Sequence, residues 1–131
     1  VLNANYILNQ LKDVIDLPYD RTCMHEVVFS ARNFKNEFGI TALDIAKRLI
    51  DYGIHPPTMY FPLIVEEALM VEPTETETKD TLDYFIDVIK AIKEEAKINP
   101  SIIHSAPHSA GNTRLDEAKA AREPDLSFKF D

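Results

Sequence analysis

Residues 52–62, YGIHPPTMYFP, set a histidine directly before two prolines. Pro56 and Pro57 fix two φ angles, remove two N–H donors and push His55 into extended geometry, so its imidazole is largely placed before any ligand arrives. A histidine held in that way suits positioned proton transfer. The same residues equally suit a stiff connector between a helix and a strand. Downstream, Glu66, Glu67, Glu72, Glu75, Glu77, Asp80 and Asp83 are balanced only by Lys79. The acids from Glu75 to Asp83 favour the N-terminus of a following helix, and the rest serve solubility.

The other candidate groups are weaker. His104 and His108 stand four apart, a zinc-like spacing on a helix, but Pro107 lies between them and no Cys or carboxylate completes a set, so no metal is expected. Cys23 and His25 are two apart and would share one side of a strand as a thiol–imidazole pair. An ordinary buried Cys beside a histidine that finds a hydrogen-bond partner accounts for the same spacing. Arg32 and Arg48 could each hold a carboxylate bidentately, although a lone Arg is usually solvated. A phosphate-cradling loop needs clustered glycines, and the chain has only Gly39, Gly53 and Gly111, far apart.

These residues need elements to hold them. The spacing of Ala4, Ile7, Leu8, Leu11, Val14 and Ile15 predicts an amphipathic helix over residues 1–15, with no Ser, Thr or Asp to cap it. The missing cap and the initial Val lead to the expectation of a cut chain. After a turn over Pro18–Thr22, residues 23–32 alternate, with Val27, Phe29 and Ala31 inward and Glu26, Val28, Ser30 and Arg32 outward, as in a half-buried strand. Thr41 and Asp44 form the signature of a capping box for a second helix. Its apolar face is Ala42, Ile45, Ala46, Leu49 and Ile50, its polar face Asp44, Lys47, Arg48 and Asp51, and Gly53 ends it. Two short strands follow, Thr58–Leu63, held to an edge or an early end by Pro62, and Ala68–Glu72. A long helix over Thr78–Lys97 turns Leu82, Phe85, Ile86, Ile89 and Ile92 inward, and Pro100 stops it.

That order predicts an α+β domain: a small, largely antiparallel sheet with helices packed on one face, over residues 1–100. Residues 101–131 read as a C-terminal tail, extended with a short helix over Leu115–Arg122. Its apolar residues, Ile102, Ile103, Leu115, Leu126, Phe128 and Phe130, look too dispersed to join a core. The 131-residue chain is 45% hydrophobic, enough for one core, and carries a net charge of −8, which argues against nucleic acid. Its apolar runs are far too short to span a membrane, and one cysteine fits a reducing cytoplasm, so a soluble cytoplasmic protein is expected.

The stretches NANYI, HE at 25–26, LDIAKRLIDYGIHPPTMYFPLIVEEALMVEPTETETKDTLDYF and APHSAGNTRLDEAKAAREP closely resemble the C-terminal part of the glycine cleavage system P-protein. The run FPLIVEEALMVEPTE and the RLDE tail resemble subunit 2 of its two-chain bacterial and archaeal form. Thr81 stands where many members carry Glu, so the long helix would lack a full capping box.

The resemblance implies the small C-terminal domain of a fold type I pyridoxal phosphate enzyme, glycine dehydrogenase (aminomethyl-transferring). Such an enzyme decarboxylates glycine and passes the aminomethyl group to the lipoyl arm of H-protein. Its cofactor lysine lies in a glycine-rich segment upstream, so no catalytic or cofactor-binding residue, and no bound cofactor, is expected within these 131 residues. The implied partners are the large domain, subunit 1 and H-protein. By the same resemblance, His55 and Thr58 would face the active-site entrance. The competing expectation is a stand-alone acidic protein-interaction module. A domain taken from an enzyme should expose apolar surface, expected on the first helix, whereas a module should have a closed surface.

Overall fold

The computed structural model describes residues 1–127. Helix α1, Leu2–Leu11, has no side-chain cap and buries Ala4, Ile7, Leu8 and Leu11. The helix is shorter than its apolar stripe. Asp13 and Asp16 favour turns and Val14 and Ile15 are β-branched, so the chain leaves the helix there, while Ile15 remains 3% exposed.

Strand β1, Val27–Ser30, is shorter than the alternation suggests. Val27 and Phe29 enter the core and Val28 stays half-exposed. Ser30, expected outward, is 3% exposed because its hydroxyl donates to the Glu66 carbonyl at 2.7 Å. Helix α2, Arg32–Phe38, was not foreseen and claims Arg32 from the expected strand. Seven residues show too little periodicity to mark a helix. Phe34 fixes it in the core, and Gly39 ends it at φ 74°.

Helix α3, Ala42–Asp51, carries the expected capping box: Thr41 N–H donates to Asp44 Oδ2 at 2.8 Å, and Asp44 N–H donates to Thr41 Oγ1 at 3.2 Å. Asp44 is nevertheless buried rather than on a solvated face. Strand β2 is only Thr58–Met59, because Tyr60 turns left-handed at φ 57°. Strand β3, Ala68–Val71, lies between the other two and is antiparallel to both, so β2 is an edge.

Helix α4, Lys79–Ile98, buries Leu82, Ile86, Val88, Ile89, Ile92 and Ala96. Thr78 caps it by accepting from Thr81 N–H, and the Thr81 hydroxyl meets the Thr78 hydroxyl at 2.9 Å. Helix α5, Ser101–His104, and helix α6, Glu117–Arg122, follow. Sheet residues Val27, Phe29, Leu69 and Val71 share one core with α1, α3 and α4. The result is a small α+β domain with a three-stranded antiparallel sheet.

The tail expectation needs correction at its start. Ile103 is fully buried in that same core and Ile102 packs against it, because α5 folds back onto α3 and α4. By contrast, α6 buries nothing. Phe128 and Phe130 lie outside the described residues. No described helix is long and apolar enough to cross a membrane.

Candidate functional site

The His-Pro-Pro segment is held at both ends. Gly53, at φ 71°, reverses the chain after α3, and Ile54 N–H donates to the Leu49 carbonyl at 3.0 Å. The Tyr84 hydroxyl, on α4, donates to the Tyr52 carbonyl at 2.8 Å. Beyond the prolines, Thr58 enters the sheet opposite Met70. His55 and Thr58 are both exposed and both border one open groove of about 450 Å³, together with Pro57, Glu72, Glu77 and Tyr84.

This groove offers an imidazole, a hydroxyl and two carboxylates to whatever is brought against it. It can donate or accept hydrogen bonds and exchange a proton. Its acids disfavour an anion.

Other candidate residues go elsewhere. Cys23 turns to α1, where its N–H and thiol both donate to Asn5 Oδ1, at 3.0 and 3.5 Å. His25 is exposed and lies 3.8 Å from Glu26, so the two do not form a thiol–imidazole pair. His104 Nδ1 lies 3.6 Å from Asp44, and His108 Nδ1 lies 3.2 Å from Asp51, so the two histidines address different carboxylates. Among the described residues no group of three or more His, Cys, Asp or Glu could hold a metal. Arg32 is exposed and lies 3.4 Å from Asp16.

Arg48 departs from the expected solvated face. Its side chain is 12% exposed and grips Glu95 bidentately, Nε to Oε2 at 2.9 Å and Nη2 to Oε1 at 2.8 Å, while Nη1 donates to Asp51 at 3.0 Å. The Tyr52 hydroxyl also donates to Glu95, at 2.6 Å. The Arg48 guanidinium, outweighing burial, holds the Glu95 carboxyl below its usual range. Burial pushes Asp51 up, but the N–H groups of Ser109 and His108, the Ser109 hydroxyl and Arg48 together bring it down to about 2. Burial likewise raises Asp44, and Thr41 with Arg114 brings it below the ordinary value.

Glu67 is a second group that sequence reasoning missed. It is 8% exposed and sits at φ 50°, with Oε2 accepting from Ala42 N–H at 2.8 Å and Oε1 from Lys35 at 2.7 Å. A carboxylate there satisfies a free N–H at the positive end of α3. Its only sequence signal was an acid beside a buried strand.

The pyridoxal phosphate implied by the resemblance needs a lysine amine and a phosphate cradle in one cavity. No lysine borders the His55 groove or the two other large grooves, and Gly39 and Gly53 are used to end helices. The described residues do not fit that cofactor.

The family model "Glycine dehydrogenase, C-terminal domain" matches residues 1–115. The chain is 55% identical to the probable glycine dehydrogenase (decarboxylating) subunit 2 of Listeria innocua, over 98% of this chain and 26% of the relative. The proteins of the same name from Lysinibacillus sphaericus and Staphylococcus aureus are each 57% identical over the same shares. The chain thus spans about a quarter of the length of the curated relatives it matches. With the family model covering most of the chain and these identities running almost from end to end, the chain belongs to the glycine dehydrogenase C-terminal domain family.

Proposed function

We propose that this domain works within a pyridoxal phosphate enzyme that decarboxylates glycine and passes the aminomethyl group to the lipoyl arm of H-protein. The match to the family model over residues 1–115 carries this reading. The lysine and phosphate cradle for the cofactor belong to the rest of the longer polypeptide, since the grooves here supply neither. The contribution of this chain is a rigid wall at the active-site entrance, made by His55 and Thr58 on the groove they share. Subunit 1 and H-protein are the partners in this reading, and the cytoplasm is its setting.

Exposed apolar side chains favour a domain of a larger assembly over a closed interaction module. Leu63 and Ile64 are 87% and 85% exposed. Part of this surface lies on the β2–β3 loop, while α1 turns Ala4, Ile7, Leu8 and Leu11 into the core and leaves Leu2 exposed.

The test is to combine the full-length subunit 2 carrying this domain with subunit 1, pyridoxal phosphate and lipoylated H-protein, and to measure release of the glycine carboxyl as carbon dioxide. Glycine-dependent release that needs both subunits supports the proposal. No release from a folded, cofactor-loaded complex contradicts it.

A further inference from the structure

At the end of α3 the Tyr52 carbonyl lacks its helical partner. In a continuing α-helix it would accept from the N–H of the residue four positions on, and that residue is Pro56, which has none. The turns that close α3 use other carbonyls: Tyr52 and Ile54 N–H donate to Leu49 at 3.1 and 3.0 Å, and Gly53 N–H donates to Ile50 at 2.9 Å. Tyr84 supplies the missing donor from α4, with its hydroxyl 2.8 Å from the Tyr52 carbonyl.

The Tyr52 side chain is held from the same helix. Its hydroxyl donates to Glu95 at 2.6 Å, and the Arg48 guanidinium lies 5.1 Å from the centre of its ring. Tyr84 and Glu95 are about three turns apart on α4, so both reach Tyr52 from one face of that helix. Tyr52 is thus fixed through main chain and side chain at the point where the chain leaves α3. His55, three residues on, is exposed, so its imidazole stands where the backbone leaves it. Pro56 and Pro57 stiffen the segment, but a stiff segment points correctly only when its root is fixed.

We propose that Tyr84 is a positioning residue for His55, acting through the Tyr52 carbonyl and not through the groove that it also borders. Its hydroxyl fixes the root of the His-Pro-Pro segment, and the prolines carry that placement to the imidazole. Without the hydroxyl the Tyr52 carbonyl is left to water, and the segment is free to swing at Gly53, its most permissive backbone position. A shift of about 1 Å at a reacting group costs on the order of a hundredfold in rate, so a small swing is enough to matter. The inference rests on the reading of His55 as a group at the active-site entrance, but the placement of the segment can be read without turnover.

The test is Tyr84→Phe, which keeps the ring and removes only the hydroxyl, in full-length subunit 2 assembled with subunit 1. Amide exchange in the peptide that holds Gly53 and Ile54 should quicken by about threefold to tenfold, while exchange in α1 stays unchanged. The kcat for glycine decarboxylation with H-protein should fall at least about threefold, and the same substitution in a His55→Ala background should cost nothing further. Unchanged exchange overturns the proposal. An equal fall in both backgrounds also overturns it, since Tyr84 then acts as part of the groove wall and not through His55. Faster exchange without loss of turnover overturns it where His55→Ala is itself impaired. Where His55→Ala keeps full turnover, faster exchange supports the positioning and sinks the entrance role alone.

Discussion

Asp44 and Asp51 stand seven residues apart on α3, two turns along one face, and each holds a different part of the chain that follows α5. Asp44 Oδ1 accepts from Arg114 at 2.8 Å. Asp51 Oδ1 accepts from the N–H groups of His108 and Ser109 at 2.5 and 2.7 Å and from the Ser109 hydroxyl at 2.9 Å. Arg114 also donates to the carbonyls of Ala106 and Ile103, at 2.6 and 3.1 Å. The start of the tail is thereby fastened to the helix that leads into His55.

Asp51→Ala is expected to release residues 105–114. It removes three tail hydrogen bonds to a carboxylate and one partner of Arg48, a loss of about 2–4 kcal/mol. Urea unfolding should show a lower midpoint, and amide exchange should speed up at His108 and Ser109 more than in α1.

The same contact sets an acid limit. The Asp51 carboxyl lies at about 2, below the ordinary 3.8, so its stabilisation is present above about pH 4 and is lost as pH falls toward 2. The contribution is on the order of 1–2 kcal/mol once solvent screening is allowed for. A stability curve between pH 5 and pH 2 should therefore be shallower for Asp51→Asn than for the parent chain.

Arg48→Ala should cost more than an ordinary surface change, about 3–5 kcal/mol, because it leaves the shielded Glu95 and Asp51 carboxylates without their cation. Thermal melting checks this. A fall in melting temperature no larger than that of the exposed Arg32→Ala would contradict the clamp.

Trypsin should cut after Lys119 and Arg122 before it cuts after Arg114. The former lie on α6, a helix with no buried residue, whereas Arg114 is bonded to Asp44 and to two backbone carbonyls. Time-resolved peptide masses check the order.

Where local chemistry decides an element, the sequence shows it. The Thr41–Asp44 capping box and the apolar stripe of α4 are legible because each is written within a few residues. Helix α2 is not, because its one fully buried side chain, Phe34, is fixed by the core and not by a local period. The groove residues His55 and Thr58 were legible as a stiffened stretch. Their shared groove depends on α4, through Thr81 and Tyr84. The grip of Arg48 on Glu95 spans 47 residues, and that of Glu67 on the start of α3 spans 25. Neither separation carries a pattern, so a single sequence offers an arginine and a glutamate with no reason to pair them.

In the proposed function the His-Pro-Pro segment presents His55 at the entrance of a glycine-decarboxylating active site. This placement is tested most directly by His55→Ala in full-length subunit 2, measuring glycine decarboxylation with subunit 1 and H-protein alongside melting temperature. Because His55 is exposed and lies outside the core, melting should hardly change. Turnover should fall by about a hundredfold to ten-thousandfold if the imidazole transfers a proton, and by less if it only walls the entrance. Full turnover in a stably folded His55→Ala enzyme would contradict the account and leave the segment as a stiff connector.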